Sequence, residues 1–116
     1  MLANVFFEHA LLELSTKNRD GLHIFFSEIV ATFGLIFIIF ATLKDGKIIV
    51  AISVATYISA GYWFTSSTSF ANPAVSIART FTDSFTGINY LNTPTYILAE
   101  FIGLILAAYI LKIIYK

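Results

Sequence analysis

The sequence contains no cysteine in 116 residues, which excludes a disulfide framework and thiolate chemistry and leaves the redox compartment unspecified. Charge is scarce: only 12% of residues are Asp, Glu, Lys or Arg, with seven of each sign and no net charge. Without a basic run there is no electrostatic footprint for nucleic acid, so no nucleic-acid partner is expected. No nucleophile–base pair, phosphate loop or metal cluster stands out, which argues against an enzyme and against a bound cofactor or metal. What the chain has in abundance is apolar surface. Its hydrophobic fraction of 58% exceeds the ~45–50% of ordinary soluble domains and predicts an all-α integral membrane protein whose first partner is the lipid bilayer.

The apolar residues fall into segments. Met1 to Leu14 carries Glu8, His9 and Glu13 and, as a helix, would reach only ~21 Å against a hydrocarbon core of ~30 Å. It has no basic leader region or small-residue cleavage site, so it reads as the tail of a truncated helix rather than an interfacial segment or a signal peptide. His9 and Glu13, one turn apart on such a helix, are too few to hold a metal. Ser15 to Gly21 reads as a solvated connection. Residues 22–43, 48–64 and 95–115 each have a spanning length, and the polar Lys44-Asp45-Gly46-Lys47 turn makes the first two antiparallel. Small-residue stripes at Ala51, Ala55 and Ser59, and at Gly103 and Ala107, suit close helix contacts in lipid. The lysine bias places Lys44, Lys47, Lys112, Lys116 and the C-terminus in the cytoplasm. A bacterial inner membrane suits such a chain.

Between the second and third spans lies a stretch of different character, Thr65 to Gly87. Hydroxyls and small residues lead into Asn72-Pro73-Ala74. Asn is a strong N-cap and proline fits the first helical position, because its missing N–H had no intrahelical partner there. The pattern predicts a helix over residues 72–86, closed by Gly87 at its C-terminal cap. It is too short and too polar to span a bilayer. Wedged between spans, it reads as a re-entrant half-helix, which is tolerated only against protein or a water-filled path.

Three polar side chains in these segments call for an account. Glu28 sits within a span, where an acidic group costs on the order of 2.5–3.5 kcal/mol. It should serve as a scaffold for the unpartnered backbone N–H groups before Asn72, in preference to a proton relay. Glu100, near the start of the last span, is expected at the interface. Arg79 either pairs with Asp83 one turn on, or donates to solutes in a pore; the pore reading is preferred. Asn72 has the most specific expected role: its amide and the helix N-terminus behind it would offer hydrogen-bond donors to a passing oxygen while opposing cations.

Asn72-Pro73-Ala74 in this topological setting resembles the second Asn-Pro-Ala box of the aquaporin, or major intrinsic protein, family. The resemblance covers nearly the whole chain. Residues Ser27-Glu28-Ile29-Val30-Ala31-Thr32-Phe33-Gly34 resemble the family's fourth span, and Ala99-Glu100-Phe101-Ile102-Gly103 the start of its sixth. The implied fold is three transmembrane helices plus one re-entrant half-helix, one half of the family's inverted repeat. The resemblance further implies a missing N-terminal half carrying the other Asn-Pro-Ala box, and a homotetramer. It implies a passive channel for water and small neutral solutes, with a non-transporting membrane fragment or helix-packing subunit as the other reading. By spacing from the box, the implied selectivity-filter positions are Ala60, Ser69 and Val75. Ala60 stands where water-selective members usually have histidine, and Val75 where most members have arginine. Arg79, four residues on and ~6 Å further along the helix, would take the arginine's place. Such a filter resembles members that pass glycerol or undissociated arsenite.

Overall fold

A computed structural model describes residues 1–116. It is all-helical, with α1 (Leu2–Phe6), α2 (Leu22–Thr42), α3 (Lys47–Phe64), α4 (Pro73–Arg79) and α5 (Thr93–Ile114), and a single 3-10 turn at Leu43–Asp45 after α2. Three helical segments are long and apolar enough to cross a membrane: Leu22–Asp45, Lys47–Phe64 and Thr93–Ile114. At 1.5 Å per residue they measure roughly 27–36 Å, close to or beyond the ~30 Å core.

α2 and α5 form the principal interface, and small residues make it. Ala31, Ala99 and Ala107 are fully buried. Gly103 lies so close to α2 that an added Cβ would stand 2.6 Å from the Ile29 carbonyl oxygen and 2.9 Å from Thr32 Cβ. The Gly103–Ala107 stripe therefore lets two backbones meet where no hydrophobic force would join them. α3 joins this pair by a different device. The Tyr57 hydroxyl donates to the Ala31 carbonyl at 2.9 Å, and it fits only because Gly34 leaves room beneath it. The Ala51, Ala55 and Ser59 stripe, expected to pack, faces open space instead. Gly46, with φ +100, reverses the chain between α2 and α3 in a conformation that side chains with a Cβ disfavour.

Two segments depart from the sequence-based expectation. Within Met1–Leu14 only Leu2–Phe6 is helical, so His9 and Glu13 are not a helical pair, although they form an ion pair at 3.0 Å. The connection at 15–21 is not solvated throughout: Ser15 and Arg19 are buried. Arg19 donates from Nε to the Gly87 carbonyl and from Nη2 to the Phe85 carbonyl, each at 2.7 Å, and its own N–H donates to Asn92 Oδ1. The guanidinium fork meets two carbonyls in a fixed geometry, which offsets part of the cost of burying its charge. It staples this segment across the loop that follows the half-helix.

Candidate functional site

The candidate site is built on the loop from Thr65 to Asn72 and the short helix α4. Asn72 is the N-cap, with extended backbone (φ −158), and its Oδ1 accepts from the Ala74 N–H at 2.9 Å. Pro73 follows at the first helical position. A backbone N–H can only donate, so the capping atom is the amide oxygen, and Nδ2 is left pointing away with two donor hydrogens. No group of the chain accepts from it, and Asn72 is solvent-exposed.

Helix α4 stops at Arg79, short of the expected end at residue 86. The carbonyls needed to extend it are already occupied. Thr80 O accepts from the Ser15 N–H at 2.9 Å, and Phe81 O accepts from the Asn4 side chain at 3.1 Å. Thr80 Oγ1 also bonds back to the Ser76 carbonyl, and the Thr82, Ser84 and Thr86 hydroxyls bond to one another. Such local side-chain bonds compete with helix. Gly87 is consequently not a helix cap. Its lack of a Cβ accommodates the Thr82 carbonyl and the Ser15 hydroxyl pressed against it.

Two buried carboxylates hold the loop. Glu28, on α2, accepts from the Phe70 N–H at 3.3 Å with Oε2 and from the Ala71 N–H with Oε1. Glu100, on α5, accepts from the next N–H, that of Asn72, at 3.1 Å and from Ser76 Oγ at 2.7 Å. Glu100 is therefore not an interfacial residue: it is 1% exposed. Tyr96 completes the set by donating from its hydroxyl to the Ser67 carbonyl at 3.0 Å. Three consecutive N–H groups thus point at carboxylates. The carbonyls of Thr68 to Ala71 accept no hydrogen bond within the chain. Thr68, Ser69 and Ala71 have φ of 62, 54 and 50, a left-handed conformation that costs side-chain-bearing residues of order 1–3 kcal/mol each and persists only where the surroundings enforce it. Glu28 holds the Ala71 N–H directly, while the Thr68 and Ser69 N–H groups are held by the Thr65 carbonyl and the Ser67 hydroxyl.

The other expected site residues fall at different places. Ala60 is exposed on α3, in a hollow that α2 shares through Ile38 and Thr42. Ser69 is buried, and its hydroxyl has no partner because it is turned against the backbone of Gly61. Val75 is half-buried and packs on the cluster of Phe70, Ile88 and Tyr96. Arg79 lies with its guanidinium 4.3 Å from the centre of the Phe70 ring, while Arg19 approaches the same ring at 5.1 Å. The Arg79–Asp83 pair, the alternative to the pore reading, does not form. Asp83 lies beyond the helix end and accepts from the Thr16 N–H at 2.9 Å and the Thr16 hydroxyl at 2.7 Å. Those two hydrogen bonds hold its carboxyl below the usual carboxylate range. Arg79 Nη1 is buried without a partner.

The sequence missed two residues of this framework, Glu100 and Arg19. For Glu100 a signal was present: it stands a full two turns inside α5, where the insertion cost used for Glu28 applies equally. For Arg19 there was none, since its partners lie 66 and 68 positions away.

No family model matches the chain, and no solved structure matches it. It is 42% identical over 111 residues to aquaglyceroporin AqpS of Rhizobium meliloti (strain 1021). The alignment takes in 96% of the chain and 48% of that relative, so the chain spans about half the relative's length. That identity, over nearly the whole chain, makes it the counterpart of the C-terminal half of an aquaporin-family member.

Proposed function

We propose that the chain forms one wall of a passive channel for water and small neutral solutes, and that a second half with its own Asn-Pro-Ala box completes the pore. The observation that carries this reading is Asn72: its backbone and Oδ1 are fully engaged, and only the Nδ2 donor is left free. Beside it stand the unoccupied carbonyls of Thr68 to Ala71. A water or polyol hydroxyl donates to a carbonyl and accepts from an amide, so such a solute exchanges its hydration for equivalent partners. A cation arriving from the carbonyls meets donors at Asn72 and the positive end of α4, where it has nothing to coordinate. The need for a second wall agrees with the exposure of α3, of whose spanning window only 6% is buried.

The solute range is read from the small side chains. Ala60 and Val75 bring no charge and little bulk to the proposed filter. Ser69 contributes backbone rather than hydroxyl, because its Oγ is turned toward Gly61. Arg79 stands at the far end of α4, ~10 Å from Asn72 along the axis. The proposed filter is therefore wide and weakly polar, suited to glycerol-like solutes or undissociated arsenite. We place the protein in a bacterial inner membrane with the Lys44–Lys47 turn and the C-terminus in the cytoplasm, assembled as a tetramer. Co-expression with an N-terminal half, followed by glycerol-driven swelling of liposomes, tests the proposal. Swelling above the level of either half alone supports it, and background swelling favours a non-transporting membrane subunit. Val75→Arg in the paired channel should reduce glycerol permeation more than water permeation.

A further inference from the structure

At the end of the bundle that carries the Leu43–Asp45 turn, α2 and α5 diverge around an open groove of about 570 Å³. Its walls are apolar, with Ile36 and Phe40 on α2 and Leu104 and Ala108 on α5. Its mouth is different: Lys44, Lys112 and Lys116 gather there from two separate helix ends. Lys44 Nζ lies 5.8 Å from the centre of the Tyr115 ring, which brings the end of α2 to the end of α5. None of the three lysines is in an ion pair, since His9–Glu13 is the chain's one such contact; Asp45, next in sequence to Lys44, makes none.

We infer that this groove binds an anionic phospholipid, with one acyl chain against the apolar walls and the phosphodiester among the three lysines. Its length is right for one leaflet. Ile36 to Lys44 rises ~12 Å and Leu104 to Lys116 ~18 Å, against ~15 Å for half of the hydrocarbon core. Its charge is right as well. Unpaired lysines at the membrane surface attract anionic headgroups, and a basic pocket between spans holds them in place. The lysine stems can lie along the apolar wall while their ammonium groups stay in the headgroup layer. A zwitterionic lipid would gain the same apolar contact but lose most of the electrostatic part, so the site should discriminate by headgroup. The groove adjoins the hollow beside Asn72, with which it shares Ile36 and Leu104, but its lysine-lined mouth lies at the helix ends and the inference does not depend on permeation.

The test uses the full chain in non-ionic detergent, incubated with equal amounts of phosphatidylglycerol and phosphatidylcholine, with bound lipid counted by native mass spectrometry. The expected result is preferential retention of phosphatidylglycerol. Each lysine replaced by glutamine should weaken that retention about fivefold, and K44Q/K112Q/K116Q together about 100-fold. Ala108→Trp, which fills the groove and leaves every charge in place, should also displace the lipid while the circular dichroism of the helices is unchanged. Equal retention of the two lipids would overturn the inference, as would an unaltered preference in the triple lysine variant. Displacement by soluble glycerol 3-phosphate at the concentration of the lipid would identify a free-anion site instead. A dimer lost on Ala108→Trp would assign the groove to a second copy of the chain. The triple variant changes only exposed side chains, so it remains informative even if the tryptophan variant does not fold.

Discussion

Glu28→Gln removes the least from the chain while striking at the centre of the site. Glu28 spends one oxygen on the Phe70 N–H and the other on the Ala71 N–H. Glutamine keeps one acceptor and replaces the other with an NH2 group, which would face a backbone N–H, donor against donor. One buried N–H then has no partner, a loss of about 1–3 kcal/mol, and the remaining hydrogen bond is no longer assisted by charge. The residue is fully buried, so water cannot readily take the vacant place. Ala71, left-handed in the same loop, would return to an ordinary backbone conformation once released. Hydrogen exchange of the Phe70 and Ala71 amides in detergent-solubilised protein reads the effect directly. Loss of about 1–3 kcal/mol of local stability accelerates exchange roughly 5- to 150-fold, with the α2–α5 amides near Gly103 little changed. Equal protection of both loop amides in the wild type and the variant would show that Glu28 does not hold them.

Other substitutions probe other links. Gly103→Val should force α2 and α5 apart at Ile29, where even one added carbon meets a carbonyl oxygen at 2.6 Å; a loss of about 1–3 kcal/mol is expected in unfolding from mixed micelles. Arg19→Gln should expose the 80–92 segment to limited proteolysis, because the buried Gly87 carbonyl and the part-buried Phe85 carbonyl lose charged donors worth about 1.5–3 kcal/mol each. Arg19→Lys should not restore resistance, since an ammonium cannot reproduce the fork. The Asp83–Thr16 contact should weaken in acid. The folded carboxyl titrates below its unfolded value, so its contribution is complete above the unfolded value and is lost as pH falls through the folded one. Protection of the Thr16 amide should fall in that acid window and be insensitive to pH in Asp83→Asn.

The parts of this fold legible in the sequence are those governed by local chemistry or by the cost of a group in lipid. Asn72 and Pro73 announce a helix start whatever lies around them, because capping is a contact between near neighbours. Glu28 could be paired with its loop because a carboxylate within a span must find donors. The end of α4 was not legible. Residues 80–86 have a composition compatible with helix, and what stops it is the capture of Thr80 and Phe81 carbonyls by the N-terminal segment. Glu100 was misread because it was measured from the end of a span rather than by its depth within one. The small-residue stripes show the same limit. Gly103–Ala107 and Ala51–Ala55–Ser59 have identical spacing, and only the first meets a helix of this chain, since spacing names a face and not its occupant.

In the proposed channel Asn72 presents its free amide to the solute in a pore shared with a second half. Stopped-flow glycerol permeability of proteoliposomes holding both halves, with Asn72 or with Asn72→Leu, tests it most directly. Leucine keeps the branched shape but is larger and has neither the donor nor the helix cap, so Asn72→Asp, which retains the capping oxygen and exchanges the amide donor for a second, negatively charged acceptor, serves as the companion variant. Glycerol flux is expected with Asn72 and is lost in both variants, with helix content unchanged in Asn72→Asp. Undiminished glycerol flux through Asn72→Asp would contradict that role for the amide.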